Sequence, residues 1–175
     1  AENLRVTKYR NGDPIPNVTG NTAWEALTSG AWCWYDNNQV ANSKYGALYN
    51  WYAVTDSRGL CPEGWRTPTD EEWTTFITML GGANVAGGKL KATSPLWIAP
   101  NTDATNSTGF SALPGGERRP WGAFNSKNES GNFWSSAEIT ATTVWYRLVG
   151  YNIGDILRYS SEGKTAGYSV RCLKD

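Results

Sequence analysis

The sequence predicts an α+β domain with helices early and strands late. Three observations carry this. Helix starts of the hydroxyl-to-carboxylate type occur at Thr22 and Thr69. Short β-type runs crowd the chain after Phe133. The span between, 81–130, is dominated by Gly, Pro, Asn, Thr and Ser. The 175 residues read as one domain over 1–175, with 1–20 as an N-terminal extension that packs on it or leads into it.

Thr22-Ala23-Trp24-Glu25 has the capping-box form, a hydroxyl and a carboxylate each able to satisfy the other's amide. It predicts a helix to about Ser29, stopped by Gly30. Tyr45, Leu48, Tyr49 and Tyr52 follow helical spacing, so 43–54 is a further candidate helix. Thr69-Asp70-Glu71-Glu72 repeats the capping signature. Trp73, Phe76, Ile77 and Leu80 then mark one helix face, ended by Gly81-Gly82. The span 81–130 reads as long loops with short strands at 89–91 and 110–113. Strands are expected at 133–136, 144–149, 156–159 and 168–173. Loops this long persist when functional or held by packing, and ten Trp offer the packing.

Composition excludes whole function classes. Net charge is zero, which argues against a nucleic-acid partner. No apolar run approaches the roughly 18 residues of a membrane span. No signal-peptide pattern follows Ala1-Glu2, which leaves a removed leader open. His is absent, so no Ser-His-Asp or Cys-His arrangement and no imidazole zinc site is possible. Cys33, Cys61 and Cys172 allow three single bridges. A Cys61–Cys172 bridge would clamp the C-terminus onto the first half and imply an oxidising compartment. Cys33, in the aromatic run 31–35, reads as a buried small hydrophobe.

Several motifs have bland alternatives. Ala86-Gly87-Gly88-Lys89 lacks phosphate-loop spacing, with Leu90 where Ser or Thr belongs, and reads as a turn. Asp70, Glu71 and Glu72 read as first-turn acids favoured by the helix dipole. Glu117 and Glu138 could form a glycosidase pair, at a separation the sequence does not give. Asn17, Asn106 and Asn128 begin sequons. Asn101 to Thr108, with Asp103, has the oxygen chemistry of a calcium loop, set against a plain solvated loop. Calcium is the one cofactor the chain suggests, and no metal-ligand set is assigned.

The C-terminal region has a different character. Phe133-Trp134-Ser135-Ser136, Trp145-Tyr146-Arg147 and Tyr168-Ser169-Val170-Arg171-Cys172 frame a polar-aromatic middle, 148–166. Tyr gives contact area at low entropy cost, and Ser, Gly and Asn adapt their hydrogen bonds. Such a composition suits a surface built for binding.

Three groups of motifs carry a resemblance to a known family. The first is Asn11-Gly12-Asp13-Pro14-Ile15-Pro16 with Tyr45-Gly46-Ala47-Leu48-Tyr49-Asn50-Trp51. The second is Cys61-Pro62-Glu63-Gly64-Trp65-Arg66-Thr67-Pro68-Thr69-Asp70-Glu71-Glu72-Trp73 with Ala86 to Lys91. The third is Gly109-Phe110-Ser111-Ala112-Leu113-Pro114-Gly115-Gly116, Phe133 to Ser136 and Tyr168 to Cys172. In this order, over nearly the whole chain, they resemble the Fibrobacter succinogenes major paralogous domain family. The resemblance implies a C-type lectin-like fold, related to formylglycine-generating enzymes, with two main helices, short antiparallel strands and long loops. It implies a secreted or cell-surface protein of Bacteroidetes-type bacteria, or a phage particle. The reactive Cys pair of the related enzymes is not carried over, since Cys172 has no near neighbour. Ser43 stands where members often have a partner for the Cys33 position, which leaves Cys33 unpaired.

Some similar proteins are targets of diversity-generating retroelements, which turn Asn-type codons into Tyr, Ser, Asp, Ile, Gly and Leu. On that resemblance Leu148, Gly150, Asn152, Ile153, Asp155, Leu157, Tyr159 and Ser161 are the candidate ligand-binding residues. An ordinary strand-loop-strand is the alternative. The expected function is a non-enzymatic adhesin-type module for a protein or glycan on another cell surface, without membrane insertion. Leu148, Ile153, Leu157 and Tyr159 lean toward protein. Trp121, Trp134 and Trp145 are candidate anchors, with core packing favoured for the last two. The competing functions are a carboxylate-based glycan-active enzyme and a structural tip protein of a pilus or phage particle.

Overall fold

The computed structural model describes residues 2–161 and 163–175. Helix α1 (Asn21–Glu25) starts from Gly20, with no side-chain cap, and closes at Ala26. The capping box expected at Thr22 is therefore not formed, and the helix is shorter than predicted. What holds it is Trp24, fully buried under the Arg118 guanidinium, 4.3 Å from the ring centroid.

Strand β1 (Trp32–Cys33) is followed by the single turn α2 (Gln39–Asn42), and pairs antiparallel with β2 (Leu48–Tyr49). The continuous helix expected over 43–54 is not present. Gly46, at φ 87°, ends a short 3-10 turn. After β2, Asn50 caps a new helix, α3 (Trp51–Val54), its Oδ1 accepting from Ala53 N at 3.0 Å and Ala31 N at 2.9 Å. Tyr45, Leu48 and Tyr49 are all buried. Their spacing reported burial, not helix.

Strand β3 (Trp65–Arg66) leads into α4 (Asp70–Met79), where the expected capping box does form. Thr69 Oγ1 accepts from Glu72 N at 3.2 Å, and Glu72 Oε2 accepts from Thr69 N at 2.8 Å. Trp73 and Ile77 are buried, Phe76 and Leu80 partly so. Helix α5 (Ala83–Leu90) replaces the turn and strand expected at 86–91. Gly87 and Gly88 give it a bare face on which other backbone lies. Gly88 N donates to Gly154 O at 2.8 Å, and a Cβ on Gly87 would overlap the Asp155 carbonyl oxygen. Of the strands expected at 89–91 and 110–113, only a Lys91–Ala112 bridge forms.

Beyond this, β4 (Glu117–Arg118) pairs with β5 (Phe124–Asn125). The largest sheet is antiparallel, in the order β6 (Ser130–Glu138), β7 (Val144–Gly150), β8 (Ile156–Ser161). It contains the strands expected at 133–136, 144–149 and 156–159. The strand expected over 168–173 is instead a set of bridges, Tyr49–Tyr168 and Phe133–Ser169, plus β9 (Leu173–Lys174), which pairs with β3.

One face of the sheet sends Phe133, Val149 and Ile156 into a cluster with Trp73, Ile77, Ala86 and Leu90. Trp134 joins a second cluster with Tyr49, Trp51, Tyr168 and Val170. A third surrounds Trp24, Cys33 and Leu48. The N-terminal segment is tied in by backbone bonds from Leu4 N to Val170 O and from Val18 N to Trp32 O. Cys61 and Cys172 form a disulfide across 111 positions, their Cα atoms 6.0 Å apart. Cys33 is free and buried, and burial pushes its thiol up to about 12. The architecture is thus mixed α/β, with few helices and small antiparallel sheets. Among the described residues no helix is long and apolar enough to cross a membrane.

Candidate functional site

Strand pleating sorts the C-terminal residues onto two faces. The β7–β8 register pairs Tyr146 with Tyr159 and Leu148 with Leu157 on one face, and Arg147 with Arg158 and Val149 with Ile156 on the other. The second face is covered by α4 and α5. The first opens outward along a graded aromatic series. Trp134, fully buried, lies 4.3 Å from Tyr168 between ring centroids; Tyr168 lies 4.6 Å from Tyr146, and Tyr146 5.8 Å from Tyr159. Tyr159 is 45% exposed. Leu148 and Leu157 are half-buried beside it.

An ion pair borders this series. Glu117 is buried and bonded to Arg119 at 2.9 Å. Burial raises its carboxyl above the ordinary range, with Arg119 opposing. Burial pushes the Tyr146 hydroxyl above its ordinary value, and the Glu117 charge acts in the same direction. Trp121, 56% exposed, stands beside Arg119, whose guanidinium is 5.9 Å from its ring centroid.

The turn from β7 to β8 is held by Lys91. This side chain is fully buried, and its Nζ donates to Gly150 O at 2.8 Å, Ile153 O at 2.7 Å and Thr102 O at 2.7 Å. Desolvation pulls its ammonium down to about 8, while Asp103 acts in the opposite direction. The eight candidate residues are therefore divided. Leu148, Leu157 and Tyr159 share the open face. Gly150 is buried, and Ile153 and Asp155 are half-buried in the turn seated on α5. Asn152 is exposed. Ser161 ends β8, and its side chain lies outside the described residues.

Asp70 does more than favour a helix dipole. Its carboxylate accepts from Arg147 Nη1 at 2.6 Å and Arg158 Nη2 at 2.8 Å. Burial alone would raise this carboxyl; the hydrogen bonds from Arg158 and Arg147 outweigh it and hold it below its ordinary value. Arg158 also lies 3.4 Å over the Trp145 ring, so Trp145 is half-buried under a cation. The sequence carried one faint sign of this cluster, an Arg in each of two neighbouring strands, but not the register that joins them.

Of the proposed carboxylate pair, Glu117 is buried with Arg119, and Glu138 is exposed and paired with Lys164. In the loop considered for calcium, the Thr102 carbonyl is taken by Lys91, and Asn106 Oδ1 accepts from Ser111 N at 2.7 Å. Among the described residues no group of three or more His, Cys, Asp or Glu stands together as a metal site.

Fold and face together define a small mixed α/β scaffold, its loops pinned by aromatic packing and one sheet face left open. The chain belongs to the Fibrobacter succinogenes major domain family, whose model matches residues 1–174. Comparison with curated proteins and with solved structures finds no significant match.

Proposed function

We propose that this domain is a non-enzymatic binding module whose open β7–β8 face engages a protein on another cell surface. The observation that carries it is the half-exposed strip of Leu148, Leu157 and Tyr159 over the buried Trp134–Tyr168–Tyr146 stack. A rigid aromatic base lets the strip offer contact area without ordering cost on binding. Apolar and aromatic groups side by side suit a protein partner better than a sugar. The proposal includes a C-type lectin-like scaffold and a secreted or displayed location, which the disulfide supports. It also includes diversification of the face by a retroelement. A glycan reading is favoured only by exposed Trp121 beside the Glu117–Arg119 pair.

A surface-protein pulldown and a glycan array, run with the parent domain, Leu157→Asp/Tyr159→Ser and Trp121→Ala, test this. Protein capture lost only in the double variant supports the proposal. Glycan binding lost only in Trp121→Ala overturns the protein assignment. Sequencing the locus in sibling isolates tests diversification: changes spread evenly over the gene would refute it.

A further inference from the structure

A second site lies away from the sheet face and shares no residue with it. Trp65, Pro68, Trp73, Phe76, Phe110 and Leu173 wall a cavity of about 370 Å³ beside the Cys61–Cys172 bridge. That volume falls in the range of small-molecule pockets, which are mainly apolar with a few placed polar groups. Among the described residues Arg171 is the one cation lining it, and it is 4% exposed. Its guanidinium stacks over Phe110, 4.5 Å from the ring centroid. Nε donates to Asn3 Oδ1 and Nη2 to Ser111 O, both at 2.7 Å. Nη1 is buried with no hydrogen-bond partner among the described residues. A buried charged donor left without an acceptor is unfavourable, and most native structures avoid it.

We propose that this cavity binds a small aromatic carboxylate, its ring between Trp65 and Phe76 and its anionic oxygen on Arg171. Neither of the two carboxylates lining the cavity is hydrogen-bonded to Arg171, although the Glu2 charge acts on it from the rim. Glu72 is engaged by Arg66, and Glu2 is exposed at the rim, paired with Arg5. An anion bonded to a guanidinium is a strong, directional contact, and the aromatic walls supply the apolar burial.

Calorimetric titration of the disulfide-intact domain with naphthoate and with neutral naphthalenemethanol tests the proposal. Naphthoate is expected to saturate and to bind about tenfold more tightly than the alcohol, the worth of one charge-assisted hydrogen bond. Trp65 is 40% exposed, so Trp65→Ala removes a wall while sparing the fold, and is expected to weaken naphthoate binding several-fold. Arg171→Leu would also unlink Asn3 from Ser111, so the acid–alcohol comparison replaces it. Equal affinity for acid and alcohol, no saturation by naphthoate, or unchanged binding in Trp65→Ala would each overturn the assignment.

Discussion

Arg147 and Asp70 form an ion pair 2.6 Å long in which the arginine side chain is 1% exposed. Removing one partner of a buried pair leaves the other charge uncompensated, at a cost of about 3 to 5 kcal/mol. Asp70→Asn is expected to destabilise in that range. Glu71→Gln, one residue along on the exposed surface, loses only a dipole interaction of roughly 0.3 to 1 kcal/mol. Urea denaturation of both variants checks this. Equal small losses would return Asp70 to the role of an ordinary first-turn acid.

Gly87→Ala sets two effects against each other. In an exposed helix interior the change is worth roughly 1 kcal/mol of stabilisation. Here the new methyl would meet the Asp155 carbonyl oxygen, which belongs to backbone and cannot rotate away. The clash wins, and a loss of about 1 to 3 kcal/mol is expected. A thermal melt reads the sign directly.

Acid should loosen the start of α4. Hydrogen bonds from Arg66 pull the Glu72 carboxyl from 4.5 down to about 2. A folded value below the unfolded one gives stability present above about pH 4.5 and lost as pH falls toward about 2. Asp70 shifts the same way. The melting temperature is expected to drop across that window, and Glu72→Gln to flatten the drop. A Glu72→Gln profile parallel to the parent's would place the acid sensitivity elsewhere.

Reduction should be felt throughout the domain. The Cys61–Cys172 bridge closes a loop spanning 111 positions. Chain-entropy arguments assign a loop of that size about 4 to 5 kcal/mol. Cys61→Ser is expected to lower the denaturation midpoint by a corresponding amount, measured beside the parent with and without reductant. Cys33→Ala should leave that reductant response intact, since Cys33 carries no bridge.

What the sequence showed well was local. The Thr69–Glu72 cap is four residues long, and the β-type runs at 144–149 and 156–159 are each contained within a few residues. What it hid depends on distant partners. Helix α5 was masked because Gly87 and Gly88 look like a turn until Gly154 and Asp155 lie against them. The spacing of Tyr45, Leu48 and Tyr49 imitated a helix because three buried side chains happened to fall at that interval. Thr22 offered a cap that Gly20 had already replaced. In the candidate site, Leu148, Leu157 and Tyr159 were named on the family resemblance, together with Gly150, Asn152, Ile153, Asp155 and Ser161, and only the strand register separates those three onto one face. The Asp70 cluster was not named, since Arg147 and Arg158 reach it across 77 and 88 residues.

Lys91 grips the β7–β8 turn only through carbonyl oxygens, a feature that every residue possesses. Its hold is therefore blind to spelling. Its three acceptors, Thr102 O, Gly150 O and Ile153 O, are main-chain atoms, so the side chains of Asn152, Ile153 and Asp155 take no part in the grip. The turn's position is thus set by a buried ammonium on backbone oxygens, and not by the side chains that the turn displays.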